Sequence, residues 1–249
     1  IDTVSILGSV NNPGTYKFTR GTTLSEAIKK SGGYDGSAYP FGGYLENQKA
    51  LEINEISKDR LYDKFLTNLI MNSGATSSVQ DSGVMEILIQ IKNSESTGRV
   101  IAEFDLDIIS SDPSKDTILE DGDKIFIPQL TQQVFIQGEV SNSGAIRYAS
   151  GQDIDYYINK SGGALSTADL DNIFIVHPNG ETENFANKSR LSFIIEDNNK
   201  ELIYPGSIIY IPQKTNFANS LQIASIWAPI ISSIALSLTS LSVLNNSNK

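Results

Sequence analysis

The chain has 249 residues, 39% of them hydrophobic and 19% charged, which is enough to bury a core and excludes a disordered polymer. A formal net charge of −10 argues against nucleic acid as a partner, because neutralising phosphates needs a surplus of lysine and arginine. The absence of cysteine excludes disulfides, a thiol nucleophile and a cysteine zinc site.

Ile1, Val4 and Ile6 open the chain on a strand-like run with no basic segment before an apolar one. It therefore reads as a mature or truncated product without a signal peptide. Residues 4–10 are expected as a strand. Asn11-Asn12-Pro13-Gly14 is expected as a turn with Gly14 at positive φ, and residues 15–18 as the returning strand of a hairpin. Thr22 or Thr23 can cap a helix, with Glu26 completing a capping box on Thr23. The helix should run to about Lys30 and end at Gly32-Gly33, turning Leu24, Ala27 and Ile28 toward the hairpin.

Tyr34, Tyr39, Phe41 and Tyr44 follow in a glycine-rich loop, where they can pack or stack on sugar rings, packing being favoured. Residues 46–72 carry Leu51, Ile53, Ile56, Leu61, Phe65, Leu66, Leu69 and Ile70 at largely helical spacing. Such a helix packs on its own domain or on a neighbouring subunit. Glu103, Asp105 and Asp107 alternate as on one strand face, a solvated face before a metal site. Residues 120–123 (EDGD) read as a turn feeding a strand over 124–127, stopped by Pro128.

The pattern then returns. Residues 134–163 (VFIQGEVSNSGAIRYASGQDIDYYINKSGG) repeat residues 4–33 (VSILGSVNNPGTYKFTRGTTLSEAIKKSGG) without a gap, matching Gly8 with Gly138, Gly14 with Gly144, Gly21 with Gly151, and Ser31-Gly32-Gly33 with Ser161-Gly162-Gly163. The closing stretches, residues 118–128 and 202–212, are offset by 84 where the openings are offset by 130, so the first copy holds 46 extra residues, expected near 40–90. His177, the single histidine, precedes Pro178-Asn179-Gly180 at an apparent hairpin turn and is expected to be solvated. No Ser-His-Asp set can be built around it, and neither Gly-Gly pair has the strand–loop–helix order of a phosphate cradle.

These motifs resemble the SLBB domain (soluble-ligand-binding β-grasp) of the outer-membrane polysaccharide export (OPX, Wza-like) family. Ser143, Ile154 and Pro205-Gly206-Ser207 depart from its pattern in the second copy. The expected fold is α+β, with tandem β-grasp-like domains over residues 1–130 and 131–213, then a C-terminal amphipathic transmembrane helix and polar tail over 214–249. Family members usually begin with a separate export domain and an acylated cysteine, and these 249 residues contain neither.

Residues 215–248 carry no charge. At 100° per residue, Gln222, Ser225, Ser232, Ser233 and Ser240 gather on one face. Ile223, Trp227, Ile231, Ile234, Leu238 and Leu241 gather on the other. Pro229 kinks this helix or starts it anew at Ala228, leaving about 25 Å, marginal for a span. The polar face is expected to line an aqueous pore and the apolar face to meet lipid. A plain anchor, or a buried or interfacial helix, is the other reading.

The resemblance implies an oligomeric, non-enzymatic subunit of a translocon for capsular or extracellular polysaccharide, with no cofactor or metal. It would have periplasmic rings, a helical exit pore in the bacterial outer membrane and an inner-membrane polysaccharide co-polymerase as partner. The alternative is a membrane-tethered carbohydrate- or ligand-binding module without a pore.

Overall fold

The computed structural model describes residues 1–72, 82–186 and 203–214. Chain order runs β1 (Asp2–Gly8), β2 (Gly14–Phe18), α1 (Leu24–Lys30), β3 (Tyr44–Glu46), α2 (Gln48–Asn72), α3 (Ser82–Asn93), β4 (Arg99–Val100), α4 (Leu106–Ser111) and β5 (Lys124–Ile127). It continues with β6 (Gln133–Gly138), β7 (Gly144–Arg147), α5 (Ile154–Lys160), β8 (Asn172–Val176), β9 (Thr182–Ala186) and β10 (Ile208–Ile211). The strands form two five-stranded sheets, ordered β2-β1-β5-β3-β4 and β7-β6-β10-β8-β9. Each sheet has one parallel pair at its heart, β1 with β5 and β6 with β10, and antiparallel pairs outside it.

The register explains the repeated glycines. Gly8 lies opposite Ile127, whose carbonyl accepts from Ser9 N at 2.8 Å. A Cβ on Gly8 would stand 2.1 Å from that oxygen, and φ is +85°. Gly138 repeats this against Ile211, with 2.0 Å and φ +94°. Only glycine lets the strand end approach its parallel partner so closely.

Each short helix packs its apolar side onto a sheet. Leu24, Ala27 and Ile28 join Val4, Ile6, Ile125 and Ile127 in one core; Ile154, Tyr157 and Ile158 join Val134, Ile136, Ile209 and Ile211 in the other. Glu26 Oε2 accepts from Thr23 N at 3.1 Å, the expected return bond at the start of α1. Asp153 takes the cap of α5, accepting from Tyr156 N at 3.0 Å. Both helices end alike, with Gly33 N donating to Ile28 O and Gly163 N to Ile158 O, each at 2.9 Å.

Three expectations need correction. Gly14 begins β2 instead of taking positive φ in the turn, because the reversal starts earlier, at Gly8. Glu103, Asp105 and Asp107 do not share a strand face. Asp105 caps α4, accepting from Asp107 N and Ile108 N, and Glu103 accepts from Asp105 N, so the run starts a helix. No group of carboxylate, histidine or cysteine ligands suited to a metal occurs among the described residues. His177 is buried, not solvated.

The extra residues of the first copy are helical. Residues 48–72 form α2, as expected for 46–72, and α3 packs beside it, which was not foreseen. Asn54 Nδ2 donates to Thr97 O at 2.6 Å and Lys58 Nζ to Ser94 O at 2.7 Å, tying α2 to the chain that leaves α3. Residues 164–186 of the second copy hold β8 and β9 and no helix. No helix among the described residues is long and apolar enough to cross a membrane.

Candidate functional site: the aromatic joint between the two sheets

The glycine-rich loop 34–44 leaves α1 and returns to the sheet as β3, carrying its aromatic rings to where the second sheet begins. Its four rings go to different places. Tyr34 donates from its hydroxyl to Phe104 O at 2.5 Å; burial, helped by Asp105 and Glu103, holds its phenol well above the ordinary value. Tyr44 lies against Phe126 with ring centroids 5.2 Å apart. These two rings pack within the first unit.

Tyr39 and Phe41 cross over. The Phe41 ring stands 4.6 Å from that of Tyr204 and 6.0 Å from Tyr39. Burial pushes the Tyr39 phenol up to about 12, with lesser contributions from Tyr148 and Tyr204 of the second unit. Tyr204 also meets His177 edge-on, centroids 5.4 Å apart. His177 faces Glu183 through Nε2 at 3.5 Å, and its Nδ1 is buried without a hydrogen-bond partner among the described residues. Phe41 keeps 36% of its surface exposed, so one aromatic face of the joint reaches solvent.

Beside these rings lies Arg99, which motif reading did not single out. Its guanidinium sits 5.0 Å from the Tyr44 ring centroid and donates through Nη2 to Pro178 O of the β8–β9 turn. Its Nε is buried without a partner among the described residues. Burial pulls the Arg99 pKa down to about 10, against the opposing pull of Tyr44 and Glu46, so the group stays charged at neutral pH. Tyr44 rises to about 12, from burial first and Glu46 second. A joint of this make-up, with rings, one part-buried cation and one partly open aromatic face, suits packing and van der Waals contact.

The two units also share a clasp at the helix end. The turn after β1 folds onto the Ser-Gly-Gly end of α1, with Asn11 N donating to Gly33 O and Asn12 N to Ser31 O. Ser141 N and Asn142 N do the same to Gly163 O and Ser161 O. Ser207 also takes over a role of Asp123. Asp123 Oδ2 accepts from Glu120 N at 2.8 Å and Ser207 Oγ from Tyr204 N at 3.0 Å, three residues back in each case. The departure from the Asp-Gly-Asp pattern therefore keeps the turn with a hydroxyl acceptor.

The residues expected to line a pore (Gln222, Ser225, Ser232, Ser233, Ser240) and those expected to face lipid (Ile223, Trp227, Ile231, Ile234, Leu238, Leu241) lie outside the described residues.

Comparison with known proteins follows the same two units. The SLBB domain family matches residues 3–45 and 133–186, the opening stretch of each copy. The polysialic acid transport protein KpsD of Escherichia coli, in two versions, is 28% identical over 116 residues, or 44% of this chain. That stretch spans 21% of KpsD, about a fifth of its length. The opening stretch of each copy is thus similar to the SLBB domain family, and part of the chain is similar to a polysialic acid transport protein.

Proposed function

We propose that the chain is a non-enzymatic subunit of an oligomeric outer-membrane translocon for capsular or extracellular polysaccharide. Residues 1–130 and 131–213 act as two stacked SLBB modules in periplasmic rings, and residues 214–249 supply a helix to the exit pore. The observation that carries the reading is the tandem SLBB unit, matched in both copies and similar to a polysialic acid transport protein. The uncharged, two-faced pattern of residues 215–248 supports the pore. Neutral hydroxyls exchange hydrogen bonds with sugars without holding them tightly, as transport requires. An inner-membrane co-polymerase is the partner that fits this role.

The chain has no cysteine, so labelling of introduced cysteines in membranes has no background. Ser225, Ser232, Ser233 and Ser240 variants should react with a water-soluble thiol reagent, and Ile231, Ile234 and Leu238 variants should not. Equal labelling at 233 and 234 sinks the pore. The reading that then remains is a membrane-tethered carbohydrate-binding module, which the exposed face of Phe41 favours.

A further inference from the structure

The link between the two units is almost absent. Leu130 N is bonded to Ser37 O in the first unit, and Gln132 O accepts from Tyr148 N in the second. Thr131 alone lies between two residues that are already held. The units can therefore differ in relative orientation only through a few backbone torsions, and whatever bridges them beside this point selects one setting.

Among the described residues, two direct contacts bridge there. Phe41 on Tyr204 is an apolar ring contact that tolerates sliding. The other is directional. Arg99 reaches from β4, the edge strand of the first sheet, to the Pro178 carbonyl at the turn of the second. Its approach leaves no room at the next turn residue but one, where a Cβ on Gly180 would stand 2.7 Å from Arg99 Nε. Arg99 is in turn placed from the helical side, since its N–H bonds Thr97 Oγ1 at 2.9 Å and Thr97 O is held by Asn54 of α2.

We propose that Arg99 is a latch that fixes the two SLBB units in one relative orientation about Thr131, and that the first unit's helical insertion sets the position of that latch. The extra residues of the first copy then do more than decorate it. They deliver the cation that locks its neighbour, and a displacement of α2 is passed to the second sheet through Thr97 and Arg99. The latch operates within one chain, so it stands whether or not the chain forms a pore.

The test uses the full chain with cysteines at two exposed, repeat-related helix positions, Lys29→Cys on α1 and Asn159→Cys on α5, each carrying a spin label. Labelled chain is diluted with unlabelled chain so that only intramolecular pairs are read by pulsed electron resonance. The parent should give one narrow distance distribution. Arg99→Ala should broaden it about twofold, toward the mobility that is the default between domains. Arg99→Met keeps the stem packed but donates nothing, and should also broaden it; this variant carries the test if Arg99→Ala loses its circular-dichroism signal. Equal widths in the parent and in every folded variant overturn the latch, as does a broad distribution in the parent.

Discussion

The two SLBB units share strand order, parallel centre, glycine approach and helix-end clasp, yet differ in what they hang on that frame. The first finishes its sheet with short strands β3 and β4, of three and two residues, and spends its length on α2 and α3. The second closes the same edge with a regular hairpin of two five-residue strands. What is common lies where backbone meets backbone, and what differs lies at the edge farthest from the parallel pair. A sheet edge tolerates substitution of its filling because little else packs on it, while the parallel centre of the same sheet tolerates almost none.

That contrast can be broken most sharply at the shared centre. Gly8→Ala and Gly138→Ala each place a methyl group about 2 Å from a carbonyl oxygen at positive φ. Each should cost about 2–4 kcal/mol of unfolding free energy by urea titration. A large loss in one copy and none in the other would end the equivalence of the two frames. A smaller effect separates the late turns. Asp123→Ala strands Glu120 N and leaves Asn47 Nδ2 with only its longer bond to Glu120 Oε2, and should cost about 2–3 kcal/mol, whereas Ser207→Ala strands Tyr204 N alone and should cost about 1 kcal/mol. Asp123→Ser should recover part of the loss, since serine serves at the matching place.

Alkali should tell the units apart. Tyr34, Tyr39 and Tyr44 of the first unit have raised phenol pKa values, Tyr39 and Tyr44 to about 12, so the folded state favours their neutral form. The stability they lend is intact below the ordinary value of 10.0 and is lost as pH climbs toward 12. Arg99 works in the opposite sense, its burial penalty easing as pH rises above about 10. Three phenols against one guanidinium leave a net loss. In the second unit burial raises Tyr157, among the described residues. Tyrosinate absorbance followed with circular dichroism should therefore show the first unit failing earlier on the alkaline side, and a single joint transition would contradict this. The smallest effect belongs to the solvent face of α2. Ile53→Lys and Ile56→Lys alter well-exposed side chains and should shift stability by no more than about 0.5 kcal/mol. A large drop would show that this face is covered.

Much of the frame was legible because it repeats. Gly8 and Gly138, the Ser-Gly-Gly pairs and the start of α1 at Thr23 each carry a local steric or capping reason, and repetition doubles the signal. The edges were not legible, since strands of two or three residues have no period to read. Gly14 was misplaced because Pro-Gly has a familiar turn reading, while the carbonyl that demands Gly8 belongs to Ile127, far along the chain. The carboxylates 103, 105 and 107 alternate as a strand would, yet Asp105 found amide partners two and three residues ahead and became a cap. Arg99 left no mark in the sequence at all. Its partner Pro178 is 79 residues away in the other unit, and no local pattern encodes a bond across a joint.

The parallel pairing of β1 with β5 also sets an order of assembly. Ser5 must wait for Lys124, and Phe135 for Ile208, before either sheet has a centre. The extra chain length in the first unit adds only about 0.4 kcal/mol to the entropy of closing that loop, so the helices of the insertion are tolerated on thermodynamic grounds. In time they are not neutral. As the chain emerges in N-to-C order, β1 and β2 form a hairpin whose β1 edge stays open for as long as α2 and α3 take to appear. Only the last strand to arrive, inserted in the middle and not added at the rim, closes the template. A chain arrested before residue 124 would thus display two strand edges, those of β1 and β3, that the finished sheet covers with β5.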